Sequence, residues 1–252
     1  MNKLLGYVFS PIHYIFYGLA LLVFHPLQWI CLKLGGYSAH KKCVDILNFF
    51  LVSTYYLTGI SVSFSNKYQL PEKRSIIFVA NHQSMFDVPP LIWFLREYHA
   101  KFISKIELTK GIPSVSFNLK HGGGANINRK DPKQSITELI KLGQRMKDNT
   151  WSAVIFPEGT RSKTGMMKPF AAAGVTALLK KVPDALIVPI AIENSWKVVQ
   201  YGTYPLSFGE RLKFTVLAPI EAKDRPSTEV ILEAENAIRR ELNQPAEVSD
   251  QG

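Results

Sequence analysis

Hydrophobic positions fall into two regimes along this chain. Before residue 67 they are nearly unbroken. No Lys, Arg, Asp or Glu occurs from Leu4 to Leu32 or from Ile46 to Asn66, and a polar, basic segment, 35–42, lies between the two runs. Either run is long enough to cross a bilayer core, which takes about 20 residues. Pro11, His13, His25, Pro26 and Gln28 interrupt the first, while Asn48, Ser53, Thr54, Thr58, Ser61, Ser63 and Ser65 dilute the second. The pattern predicts a membrane-associated helical hairpin over residues 1–66. It either spans the bilayer or lies in one leaflet with Trp29, Tyr55 and Tyr56 at interfacial depth. The length of the apolar stretch and the lack of a clear small-x-small site argue against a cleaved signal peptide.

From residue 67 onward, short apolar runs alternate with amphipathic ones. Strands are predicted at 75–80, 100–104, 125–129, 152–156, 185–192 and 211–217, and helices at 88–97, 132–147 and 170–181. The helix at 132–147 is the clearest. Asp131 stands at its N-cap, Pro132 at its first helical position, and Ile136, Leu139, Ile140 and Met146 trace one face. Alternation of this kind predicts an α/β fold for residues 67–245, a mostly parallel sheet flanked by helices. Residues 228–243 read as a last amphipathic helix, and 246–252 as a tail.

Length and charge sharpen this picture. A chain of 252 residues suffices for one sizeable α/β domain plus an appendage. The formal net charge is +10, unevenly spread: the first 220 residues hold 26 Lys/Arg against 12 Asp/Glu, a balance of +14. Such a surface suits an anionic partner. No nucleic-acid-binding motif or basic stripe interleaved with aromatics occurs, which sets nucleic acid aside. The two cysteines, Cys31 and Cys43, flank apolar stretches and read as small hydrophobes in a reducing compartment.

Candidate chemistry collects where strands end. His82 follows the predicted strand 75–80 and precedes a helix with Pro89 and Pro90 in its first turn, so it sits at a carboxyl end, where ligands gather in open α/β sheets. On one continuous helix, His82 and Asp87 would point about 140° apart. A turn between them lets the carboxylate fix the imidazole tautomer and leaves the second ring nitrogen basic, an arrangement that can take a proton from an alcohol. The plainer alternative is that Ser84 or Asp87 caps the following helix. Phe156-Pro157-Glu158-Gly159-Thr160-Arg161-Ser162 follows the strand 152–156. Arg161 offers a planar fork of donors suited to phosphate, and Gly159 permits close backbone approach. Glu158 either binds a substrate hydroxyl or fixes an arginine; a charged surface turn is the alternative for the whole stretch. Arg129, at the end of its strand, is either a second phosphate ligand or a solvated charge.

Taken together, these stretches resemble the glycerolipid acyltransferase family, whose bacterial representatives are lysophosphatidate acyltransferases. The blocks run in the family's order: NHxxxxD at His82 and Asp87, a second block from Gly124 to the arginine Arg129, an unchanged FPEGTRS at 156–162, and the apolar Val188-Pro189-Ile190. The departure is Asn128, where the family commonly has Asp, preceded by three glycines. The resemblance implies acyl transfer from a thioester donor, acyl-CoA or acyl carrier protein, to the free hydroxyl of lysophosphatidate in phospholipid synthesis. It implies His82 as general base, Asp87 as its orienting partner, and an acceptor site of Arg129, Glu158, Gly159, Thr160 and Arg161. No metal or cofactor is implied beyond the acyl donor as substrate. The expected partners are anionic membrane lipid, a lysophospholipid acceptor and the donor, at the cytoplasmic face of a membrane. Acylation of another lysolipid, such as a lyso-amino-acid lipid, is the alternative within enzymes; a non-enzymatic basic membrane-binding protein is the alternative outside them. The apolar residues in and beside 105–121 read as core packing, with the lining of an acyl tunnel as the alternative.

Overall fold

In the computed structural model, residues 1–247 are described; of the expected tail, 248–252 lie outside the described residues. The first apolar run and most of the second form α1 (Asn2–Ser53), broken at Gly36, where φ is 66° and ψ −161°. An unbroken helix would hold Phe24 and Phe50 about 39 Å apart at 1.5 Å per residue. Their rings are 5.7 Å apart, and His40 Nε2 lies 3.3 Å from Gln28 Oε1. The chain therefore doubles back at Gly36, and α1 is the expected helical hairpin.

The hairpin is bound to the rest of the protein along its length. The Leu206 amide donates to Ser10 Oγ (2.9 Å), Tyr14 donates to Thr203 O, and Ser114 Oγ donates to Leu21 O (2.6 Å). Farther on, His25 accepts from the Ser114 amide, Tyr37 from Lys101, and Lys41 donates to Arg96 O. No stretch of about 20 residues between Ser10 and Lys41 stands clear of the domain, so the hairpin lies along it. Its outer side exposes Leu4, Val8, Ile15, Leu19, Leu22 and Leu34. Trp29 and Tyr56 are exposed, whereas Tyr55 is wholly buried against the core.

After the hairpin come β1 (Ser61–Ser65), β2 (Ile76–Ala80), α2 (Val88–Phe94), β3 (Lys101–Lys105), α3 (Val115–His121), β4 (Ala125–Ile127), α4 (Pro132–Asn149) and β5 (Ala153–Ile155). The chain continues through α5 (Ala173–Leu179), β6 (Leu186–Glu193), α6 (Ser195–Val198), β7 (Arg211–Val216), β8 (Ile220–Glu221) and α7 (Ser227–Glu241). The strands form one sheet in the order β1-β7-β6-β2-β5-β3-β4, with β8 beside β6. It is parallel except where β7 and β8 meet β6. The boundary drawn at residue 66 needs correction, because β1 pairs with β7 and belongs to the sheet.

The central strand β2 shows why its sequence is an unbroken apolar run. Ile76, Phe78 and Ala80 enter one core, with Leu91, Tyr55 and Phe214. Ile77 and Val79 enter the other, under α4, α5 and α7. A parallel strand covered on both faces has no polar side to show. The 105–121 segment departs from its core reading. Ile106 and Leu108 are exposed, and α3 packs on the hairpin, with Phe117 against His25 and His40. Residues 244–247 are tied down, as Gln244 bonds the Met167 amide and Glu247 bonds Arg239.

Candidate active site

The site begins where β2 ends. Asn81 clasps the backbone of Ile192 on β6, donating to its carbonyl (2.9 Å) and accepting from its amide (2.7 Å), so the chain leaves the sheet at a fixed point. Ser84 then caps a 3₁₀ turn, Met85–Asp87, accepting from the Phe86 amide at 3.0 Å, and its hydroxyl also meets that of Ser195. This turn swings Asp87 back under His82. Asp87 Oδ2 accepts from His82 Nδ1 (2.7 Å), the Gln83 amide (2.7 Å) and the Ser84 amide (3.0 Å). Ser84 and Asp87 thus cap the 3₁₀ turn and not α2, whose N-cap residue Asp87 makes no side-chain cap bond, and the turn's cap is what delivers the carboxylate to the imidazole.

A carboxylate only accepts, so it fixes the proton on Nδ1 and leaves Nε2 as the basic nitrogen. Asp87 is fully buried, while the His82 side chain is 15% exposed. The imidazole stacks on Phe156, with centroids 4.1 Å apart and an interplanar angle of 19°. One ring face is therefore fixed by Phe156, just past β5, and the tautomer by Asp87, on the turn after β2.

Glu158 reaches the dyad through the backbone. Its Oε1 accepts from the His82 amide (2.7 Å) and its Oε2 from the Lys168 amide (3.0 Å), and the Ser162 amide donates to His82 O (2.8 Å). Burial raises its carboxyl above the ordinary range, and the two amides pull it back. These bonds tie the FPEGTRS loop to the histidine strand, and no arginine is among the partners of Glu158. Gly159 closes a turn onto Phe156 O (3.0 Å) at φ 64°, and a Cβ there would meet nothing within 4 Å. The glycine serves the left-handed backbone rather than a close approach.

Gly159, Thr160, Arg161 and Arg129 are exposed. Neither guanidinium has a hydrogen bond or ion pair among the described residues. Burial lowers the pKa of Arg129, Glu107 opposes it, and Arg161 adds to the lowering. The second and third blocks are therefore near enough for their two arginines to repel each other. Asn128 makes its own turn, accepting from the Lys130 amide at 3.0 Å, and Gly124 before it lets β4 approach β3: a Cβ there would lie 2.6 Å from Phe102 O. Sequence reasoning missed the supporting residues Asn81, Phe156 and Ser195. Asn81 and Phe156 lay inside the first and third blocks and so carried a signal; Ser195 carried none.

Residues 61–193 match the Acyltransferase family model. The chain belongs to that family. Among its relatives, human 1-acyl-sn-glycerol-3-phosphate acyltransferase beta is 32% identical over 167 residues, covering 66% of this chain and 58% of that one. The 1-acyl-sn-glycerol-3-phosphate acyltransferase of Helicobacter pylori is 35% identical over 154 residues, 60% of each. The match covers 58% of that human protein and 35% and 34% of two chloroplastic 1-acyl-sn-glycerol-3-phosphate acyltransferases, from Brassica napus and Arabidopsis thaliana, so it spans only part of their length. Its fold is that of the crystal structure of the 1-acyl-sn-glycerophosphate (LPA) acyltransferase PlsC from Thermotoga maritima, with a TM-score of 0.79, 20% identity and coverage of 96% of this chain and 97% of that one.

Proposed function

We propose that this acyltransferase moves a fatty acyl group from acyl-CoA or acyl carrier protein to the free hydroxyl of lysophosphatidate, at the cytoplasmic face of a membrane. The observation that carries the reading is the His82–Asp87 pair, 2.7 Å apart, with Nε2 left free at the end of a central strand. Nε2 takes the proton of the acceptor hydroxyl as its oxygen attacks the thioester carbonyl. The tetrahedral intermediate collapses by breaking the carbon–sulfur bond, and the thiolate recovers the proton from the imidazolium. No covalent enzyme intermediate, metal or further cofactor enters this scheme.

Arg129 and Arg161 hold the acceptor phosphate, a role for which an unpaired planar cation is suited. Exposed Thr160 and the turn at Gly159 border them. Glu158 acts by holding the loop and the His82 backbone together. The hairpin supports a monotopic seat in one leaflet, because its length is bound to the domain while its outer side is apolar. Anionic lipid complements the +14 balance of the first 220 residues.

The test is an acceptor panel assayed with acyl-CoA and with acyl carrier protein as donors. Lysophosphatidate should be acylated in preference to lyso-amino-acid lipid and to lysolipids lacking the phosphate. His82→Ala should lose about 10²–10⁴-fold, the usual contribution of a positioned base. Turnover of the variant near that of the wild type would remove His82 from the mechanism. Preference for an amino-acid acceptor would reassign the substrate, and vesicle binding without any turnover would leave only a membrane-binding protein.

A further inference from the structure

Asp87 is wholly buried, yet its two oxygens are treated unequally. Oδ2 takes three donors, from the His82 ring and the amides of Gln83 and Ser84, while Oδ1, equally sealed from solvent, has none. A buried acceptor without a donor is costly, above all on a charged group, and such an atom calls for an explanation.

One hydroxyl stands close by. Tyr55 lies in the 3₁₀ turn Thr54–Thr58 that follows the hairpin, is 0% exposed, and packs its ring on Phe86 at 4.9 Å. Its hydroxyl is 3.5 Å from the carbonyl of Phe86, the residue before Asp87. Good O–H···O bonds span about 2.5–3.0 Å, so this proton has no close acceptor where it stands. Burial, Tyr17 and the Asp87 charge together hold the phenol well above the usual tyrosine range, so it remains a donor at working pH. An underused donor thus stands at the carbonyl of the residue that precedes an acceptor lacking one.

We infer that Tyr55 is a positioning residue whose hydroxyl donates to Asp87 Oδ1 in the working dyad. The inference rests on the acyl-transfer reading above for what that dyad does. When Nε2 takes the acceptor's proton, an imidazolium forms and Asp87 must stay charged and in place. A fourth donor, on the oxygen not facing His82, holds both the charge and the plane of the carboxylate. Tyr55 makes and breaks no covalent bond. It also links the dyad to the hairpin, because His13 Nδ1 donates to Thr54 O at 3.0 Å and its ring lies 5.9 Å from that of Tyr55.

Tyr55→Phe keeps the buried ring and removes only the hydroxyl. Tyr17→Phe removes another hydroxyl from the same aromatic cluster and is the control. In vesicles with lysophosphatidate and acyl-CoA, Tyr55→Phe should lower kcat about tenfold, the loss of one hydrogen bond to a charged group, with the acceptor KM within twofold. The acid limb of kcat/KM should move to higher pH, because a carboxylate with one donor fewer holds the imidazolium proton more firmly. Imidazole NMR signals of His82, followed through pH in the full-length protein, should titrate at higher pH in the same variant. Tyr17→Phe should leave all three unchanged. Wild-type kcat, limb and titration in Tyr55→Phe would overturn the inference, as would equal shifts in Tyr17→Phe. The NMR titration needs no turnover, so an inactive wild type would overturn the proposed reaction while the contact itself stood or fell on that titration.

Discussion

Glu158 divides its two oxygens between the amides of His82 and Lys168, residues far apart in the chain. A glutamine keeps the shape but offers one acceptor and one NH₂, which must face one of those N–H groups. Glu158→Gln should therefore cost about 1 kcal/mol, the net worth of one hydrogen bond, because its NH₂ can turn toward the exposed Lys168 amide, and lower Tm by roughly 2–4 °C per kcal/mol for a chain of this size. Calorimetry beside acceptor kinetics decides between two roles: an unchanged Tm with a raised acceptor KM would return Glu158 to the substrate. At this scale the sequence was legible where the chemistry is local. His82 and Asp87 sit on one turn, and five residues suffice to show that a bend must join them. The partner of Glu158 was not legible, because it depends on which loops the sheet brings side by side.

The hairpin turns on a single residue. Gly36, at φ 66° and ψ −161°, lies in a region open essentially to glycine alone, and a Cβ there would touch nothing within 4 Å. Gly36→Ala should then carry a pure backbone cost of about 1–3 kcal/mol. Hydrogen exchange should quicken at residues 37–53 while the amides of β2 and β6 keep their protection; unchanged exchange in the second arm would show that the reversal is held by its contacts instead. The hairpin was readable because a basic break divides two uncharged runs. β1 was not, although Ser61-Val62-Ser63-Phe64-Ser65 alternates with period two, because it trails directly out of the second run and takes its place at the sheet edge only through β7. β8, two residues long, has no pattern to read, and α3 takes its place by packing on the hairpin, a contact outside its own sequence.

Across the whole molecule, the hairpin tip closes on the sheet through one buried ammonium. Lys101 at the start of β3 is 6% exposed, donates to the Tyr37 hydroxyl just past the Gly36 break, and lies 4.5 Å from the Trp151 ring and 4.9 Å from that of Tyr37. Burial pushes its pKa down to about 7, Lys41 and Arg145 push the same way, and Asp45 opposes them. An unfolded lysine titrates near 10.4. Between these values the unfolded chain holds a proton that the folded one has released, so stability rises with pH across the window. Below about 7 the fold must bury a charged ammonium. His99, beside Trp151, is held down to about 4, and its own contribution is complete below the lysine window. Thermal unfolding should accordingly show Tm climbing from pH 7 to 9. Lys101→Met should flatten that climb and raise Tm at pH 6, where the wild type carries the buried charge. A climb that survived the substitution would belong to other groups, and the contact between hairpin tip and sheet would then be indifferent to the charge on Lys101.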